Sequence, residues 1–137
     1  NDINIIVLMG RFAPHIERVK AKAISLSYKT DVRVDIDNIA ENMANSDIAI
    51  GAAGATTWER CCLGLPTIQI VIADNQNTIS KSLARINAIK LLKDRKELGI
   101  ILRDVNDWMA YISNISRQIS DGLGSLRVLN AIKEKTL

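Results

Sequence analysis

The chain has 137 residues, 47% of them hydrophobic and 24% charged, with a formal net charge of +3. This is the length of one domain, with enough apolar content for a core, and it argues against a disordered segment. The longest apolar runs are strand-sized, well short of the ~20 residues a transmembrane helix needs, so no membrane span is expected.

The charge is uneven: residues 1–80 hold seven basic against nine acidic side chains, and residues 81–137 hold eleven against six. With only five aromatic residues in the chain, stacking platforms for nucleic acid are missing, and the basic half reads as solvated helix faces. The first residues, NDINIIVLMG, have neither an initiating methionine nor the basic-then-apolar pattern of a secretion signal, so a fragment of a longer chain is expected. The only cysteines, Cys61 and Cys62, are adjacent on a predicted helix, where a mutual disulfide is strained, and a reduced, cytoplasmic setting is expected.

In chain order, NIIVLM at residues 4–9 reads as a parallel strand buried on both faces, followed by an amphipathic helix over residues 14–26 with Pro14 in its first turn. A short strand is expected at 32–36, a helix capped by Asp37 at 38–45, and a third strand at 47–52. Residues 55–63 are helical and stop at Gly64. PTIQIVIA, at 66–73, is a fourth buried strand. After a loop at 74–77 the pattern predicts a helix reaching about residue 89, a last short strand at 99–102, and helices over 105–119, capped by Asp104, and 122–135. Alternation of strands and helices with short loops argues for an α/β fold, a doubly wound Rossmann-like parallel sheet. Ligands in such folds bind beyond the carboxyl ends of the strands.

The stretch with most chemical content is SDIAIGAAGATTWERCCLGLP, residues 46–66. Gly51 and Gly54 permit close backbone approach and positive φ, and Ala52, Ala53 and Ala55 add little bulk. The helix that follows offers free N–H groups and the positive end of its dipole, an anion site suited to phosphate or diphosphate, with Thr56 and Thr57 as hydroxyl donors. Glu59 is open to two readings: an acid favoured by the helix dipole, or a carboxylate accepting ribose hydroxyls. The chain has neither G-x-G-x-x-G nor a P-loop, so a dinucleotide fingerprint and a Walker-type ATPase are both unsupported.

DIAIGAAGATTWERCCLGLPTIQIVIADNQ resembles the C-terminal, donor-nucleotide lobe of the GT-B glycosyltransferase superfamily. Within it, the chain is similar to the UDP-sugar hydrolases of pseudaminic acid biosynthesis and their spore coat polysaccharide relatives. The resemblance implies that residues 1–137 are one nucleotide-sugar-binding domain of a two-lobe enzyme. It implies that Gly54, Ala55, Thr56 and Thr57 hold the diphosphate of UDP and that Glu59 takes the ribose hydroxyls. The loop at 34–37 is similar to the one whose backbone reads uracil, with Ile36 at the base edge. Gly10 looks like part of a phosphate-side loop, although Arg11 stands where the family usually has a second glycine or a small polar residue. Asn75 and Gln76, in ADNQN, resemble the polar pair that meets sugar hydroxyls, the alternative being a turn and helix cap supplied by Asn77.

No catalytic residue is assigned within the chain. In the resembled hydrolases the catalytic histidine belongs to an N-terminal lobe that this chain does not contain, so His15 reads as a surface residue at a helix start. Cys61 and Cys62 lack partners at metal-ligand spacing and read as packing residues, and Trp58 as a core or lobe-facing contact. No cofactor or metal is expected. The expected partners are UDP or a UDP-sugar and the N-terminal lobe of the parent chain, with no nucleic acid. The implied activity is release of UDP from a diacetamido-trideoxyhexose, this domain alone being inactive. A glycosyltransferase donor lobe and a non-catalytic UDP-sugar-binding subunit are the alternatives.

Overall fold

The computed structural model describes residues 3–135 and divides into two compact units, with the boundary after Ile39. In the first unit, β1 (Asn4–Met9) pairs in parallel with β2 (Lys29–Val34), and α1 (Ile16–Ile24) connects them. The register runs from Asn4 opposite Lys29 to Met9 opposite Val34, and this full-length pairing starts β2 three residues before the expected strand. Within this unit Ile5, Val7 and Met9 are half-buried and Asn4, Ile6 and Leu8 are exposed, an alternation in place of the expected burial of both faces. Among its described residues the unit has one whole helix, α1, which can cover only one face of a sheet.

The second unit contains α2 (Ile39–Ala44, from Ala40 onward), β3 (Ala49–Ala52), α3 (Thr56–Leu63), β4 (Thr67–Ile70), α4 (Asn77–Arg85), β5 (Lys90–Leu92), α5 (Leu98–Arg103), α6 (Val105–Ser116) and α7 (Gly124–Lys135). Its strands pair in parallel in the order β3-β4-β5, with Ala52 opposite Ile70 and Ile70 opposite Leu92. The fold is α/β and Rossmann-like, and its parallel pairing is found as one sheet in each unit. Consecutive strands that are joined through a helix and pair in parallel recur three times among the described residues, at β1-α1-β2, β3-α3-β4 and β4-α4-β5.

The core lies in the second unit. Ile68 of the central strand, Leu92, Trp108 and Ile112 form its main cluster, with Leu98, Ile101, Leu102 and Val105 packed around them. Each such large apolar side chain contributes about 1.5–3 kcal/mol through burial. Trp108 also donates its indole N–H to the Ile101 carbonyl at 3.0 Å, so its polar atom is satisfied inside the cluster.

Besides the early start of β2, three elements differ from the sequence expectation, the first being the strand expected at 66–73, which ends at Ile70 and leaves Ile72 exposed. The helix expected to reach residue 89 ends at Arg85, because Asn87 adopts a left-handed conformation (φ 58°) and turns the chain into β5. The strand expected at 99–102 is instead helix α5, whose Leu98, Ile101 and Leu102 recur at helical spacing and pack on the core. Gly64 does end α3 as expected: it sits at φ 66°, and the N–H groups of Gly64 and Leu65 return to the carbonyls of Cys61 and Arg60, both at 2.9 Å.

Candidate functional site

The turn between β3 and α3 is built around side chains that the helix sends back toward its own N-terminus. Thr57 is 2% exposed, and its hydroxyl is saturated. It donates to Gln69 Oε1 at 2.9 Å and accepts from the Gly54 N–H at 3.2 Å and from Arg60 Nη2 at 3.3 Å. Gln69, 0% exposed in the central strand, passes the connection on by donating from Nε2 to Ser80 Oγ at 2.8 Å. Ser80 then donates to the Gln76 carbonyl at 2.7 Å. A buried polar chain thus ties the β3-α3 turn to the β4-α4 loop, both at the carboxyl ends of strands.

Arg60 lies beneath the same turn. Its Nη2 donates to the carbonyl of Ala52, the last residue of β3, at 2.9 Å, and its Nη1 donates to Thr56 Oγ1 at 3.4 Å. The side chain is 6% exposed, its Nε has no hydrogen-bond partner, and no carboxylate lies within ion-pair distance of it among the described residues. Burial pulls the guanidinium below its ordinary pKa, with Cys61 and Glu59 acting in the opposite sense. Burial likewise pushes the Cys61 thiol up, opposed by Arg60. A guanidinium stays charged under these conditions, so the turn carries a cation under its floor.

Gly51 serves a different purpose from the one expected, and the positive φ expected of the two glycines is not found. Neither Gly51 nor Gly54 has positive φ. A Cβ on Gly51 would stand 2.6 Å from Arg60 Nη1, so Gly51 leaves room for the guanidinium, whereas a Cβ on Gly54 would meet nothing within 4 Å. At the mouth of the turn, Gly54, Ala55 and Thr56 are exposed, and the Ala55 and Thr56 N–H groups make no intramolecular hydrogen bond among the described residues. They are the unpaired donors of a helix N-terminus. Glu59 is exposed in the first turn of α3, and Trp58 is 41% exposed, which takes it out of the core.

In the β4-α4 loop, Asn75 is exposed in a short 3₁₀ turn (Asp74–Gln76). Half-buried Gln76 uses its Oε1 to accept from the Ile72 N–H at 3.2 Å. Gln76, the N-cap residue of α4, makes no side-chain cap bond to the helix. Beside them an open cleft is lined by Ile72, Asp74, Asn77, Lys81, Leu92 and Lys93. Sequence reading passed over Lys81, Lys93 and Arg60. For Arg60 a signal existed: it falls four and three residues after Thr56 and Thr57, hence on their side of the helix.

Within the first unit, the two loops carrying Gly10 and Ile36 are neighbours. The Asp35 N–H donates to the Met9 carbonyl at 2.9 Å, and Arg11 Nε donates to Asp35 Oδ2 at 2.6 Å across the exposed ends of β1 and β2. Arg11 is therefore paired with a carboxylate. His15 is exposed at the start of α1, as expected, in a left-handed conformation (φ 69°).

These loops and the glycine turn occur in a sequence whose residues 2–118 match the family model of the glycosyltransferase family 28 C-terminal domain. The chain belongs to that family. It is a nucleotide-sugar-related, glycosyltransferase-like domain of the GT-B type. This glycosyltransferase family 28 domain is also similar to the spore coat polysaccharide biosynthesis protein SpsG of Bacillus subtilis (strain 168), with 24% identity over 141 residues. The alignment covers 97% of this chain but 41% of that protein, so the chain spans about two fifths of its relative's length. No helix among the described residues is long and apolar enough to cross a membrane.

Proposed function

We propose that this domain holds the UDP of a UDP-sugar, and that the protein containing it is a hydrolase that releases UDP from a diacetamido-trideoxyhexose in nonulosonic acid or surface polysaccharide biosynthesis. The observation that carries the nucleotide reading is the turn itself: unpaired N–H groups of Ala55 and Thr56 at the start of a helix, over a buried Arg60. The diphosphate lies on Gly54, Ala55 and Thr56, with Thr57 holding the turn from below. Glu59 accepts the ribose hydroxyls, and Asn75 and Gln76 meet the sugar.

In the hydrolytic reaction, water attacks the anomeric carbon, a base on an N-terminal lobe takes its proton, and the bond to the diphosphate oxygen breaks. This domain's part is to stabilise the charge that develops on the departing UDP through N–H groups already oriented toward it. Support for a polysaccharide setting comes from the similarity to the spore coat protein. The second reading, a glycosyltransferase donor lobe in which a sugar hydroxyl replaces water, is favoured by the family to which the domain belongs.

Calorimetry on the full-length protein with UDP, ADP and GDP tests the nucleotide reading. UDP binding at least about tenfold tighter than the other two is expected, and equal or absent binding overturns a uridine site. Incubation with the UDP-sugar in buffer separates the two reactions. UDP release without an added acceptor supports the hydrolase, and release only with an acceptor sugar supports the transferase.

A further inference from the structure

We infer that Arg60 is a positioning residue for the diphosphate: a buried cation that fixes the β3-α3 turn and turns the Thr56 hydroxyl into a directed donor, making the turn selective for a multiply charged phosphate group. The inference rests on the nucleotide reading of that turn. Three observations carry it.

The first is that, among the described residues, no carboxylate lies within ion-pair distance of Arg60. Arg60 is 6% exposed, its Nε is unpaired, and its recorded hydrogen bonds go to neutral oxygens of Ala52, Thr56 and Thr57. A buried cation with no anion is costly, and here it sits at the positive end of α3, where the helix dipole adds to the cost. An anion seated on the Ala55 and Thr56 N–H groups relieves both terms at once.

The second is proton direction. Thr56 Oγ1 accepts from Arg60 Nη1, so its own proton is free to donate elsewhere, and the adjacent cation polarises it toward an acceptor. Thr57 differs, because its single proton is committed to Gln69. One threonine is thus structural and the other faces the ligand, a distinction their adjacency in sequence conceals.

The third is that the backbone is shaped for the guanidinium. Any side chain at Gly51 would collide with Arg60, since its Cβ would lie 2.6 Å from Nη1. The last strand residue before the turn is held as well, through the Ala52 carbonyl at 2.9 Å from Nη2.

The test uses the full-length protein and its Arg60→Met and Arg60→Lys variants, titrated with UDP, inorganic pyrophosphate and uridine. Arg60→Met is expected to weaken UDP and pyrophosphate about 10- to 100-fold while leaving uridine within about twofold, and Arg60→Lys to recover part of the loss by restoring the cation. Unchanged UDP affinity, or an equal loss for uridine, overturns the inference, the second outcome marking Arg60 as merely structural. If Arg60→Met does not fold, the wild-type protein labelled with ¹⁵N-arginine decides. Arg60 is the only arginine among the described residues that is buried, so its Nε–H signal is expected to be protected from water and to shift with pyrophosphate but not with uridine. An unmoved signal overturns the inference. Wild-type protein that binds pyrophosphate, loses it in Arg60→Met and does not prefer UDP over ADP and GDP leaves Arg60 its role and removes the uridine reading. Failure to bind any of these anions removes both.

Discussion

Thr57 Oγ1 and Gln69 Oε1, twelve residues apart in sequence, meet at 2.9 Å in the buried floor of the β3-α3 turn. Thr57→Val leaves the Gln69 oxygen and the Gly54 N–H without this partner, and a loss of about 1–3 kcal/mol is expected in urea unfolding. Combining it with Gln69→Leu should cost less than the sum of the two single changes, because the two groups share one bond. Strict additivity would mean that the contact carries no coupling.

Two glycines in the same turn are expected to respond oppositely to alanine. Gly51→Ala drives a Cβ into the Arg60 guanidinium and should destabilise the fold by about 1–3 kcal/mol. Gly54→Ala meets open space at an unstrained φ and should leave stability within about 0.5 kcal/mol. If the turn seats the diphosphate, its effect should appear in UDP titration instead, as the methyl group would come between the ligand and the turn. Equal melting curves for the two variants would contradict the assignment of Gly51 as the seat of Arg60.

Glu59 is exposed, so Glu59→Ala should change stability by no more than about 1 kcal/mol. If the carboxylate takes the ribose hydroxyls, the variant weakens UDP by about tenfold or more and leaves pyrophosphate almost unchanged. Unaltered UDP affinity would return Glu59 to the role of an ordinary acid at a helix start.

At the entrance to α7, the Asp121 carboxylate accepts from both Arg127 Nη1 (3.0 Å) and Nη2 and from the Leu123 N–H (3.0 Å). These contacts, the Arg127 hydrogen bond foremost, hold its pKa down at about 2 from the ordinary 3.8. A depressed carboxylate pKa stabilises the folded form above the unfolded value, and the contribution disappears as pH falls through the folded one. Amide exchange in α7 is therefore expected to accelerate as pH drops from about 4 to about 2, beyond the intrinsic pH dependence of exchange. Asp121→Asn should abolish the added sensitivity.

What was legible in the sequence follows from how local the cause is. Gly64 could be read as the end of α3 because a left-handed cap is a property of one residue and its neighbours. Helix α5 reads as a strand in isolation because Gly99 at its second position and the apolar run after it look β-like, and only the packing of Leu98, Ile101 and Leu102 on the core cluster settles the period. β5 is three residues long and opens with Lys90, whose ammonium lies 5.7 Å from the Trp108 ring, so it had no alternating pattern to find. In the candidate site the turn was recognisable from its small residues. Arg60 was not, because a cation in a run of apolar residues becomes meaningful only when its depth and the three oxygens it reaches are known. Gly51 was read as a conformational glycine for the same reason: the atom that demands its small size belongs to a residue nine places later.

The chain of bonds from Thr57 through Gln69 and Ser80 to the Gln76 carbonyl has one sense of donation throughout. Reversing the Gln69 amide would place its nitrogen against the Thr57 hydroxyl and its oxygen against Ser80, and Ser80 would then have to release Gln76 to donate upward. The turn and the loop are therefore coupled through the strand between them. An engineer who alters the β4-α4 loop inherits the constraint at the strand that joins it to the turn.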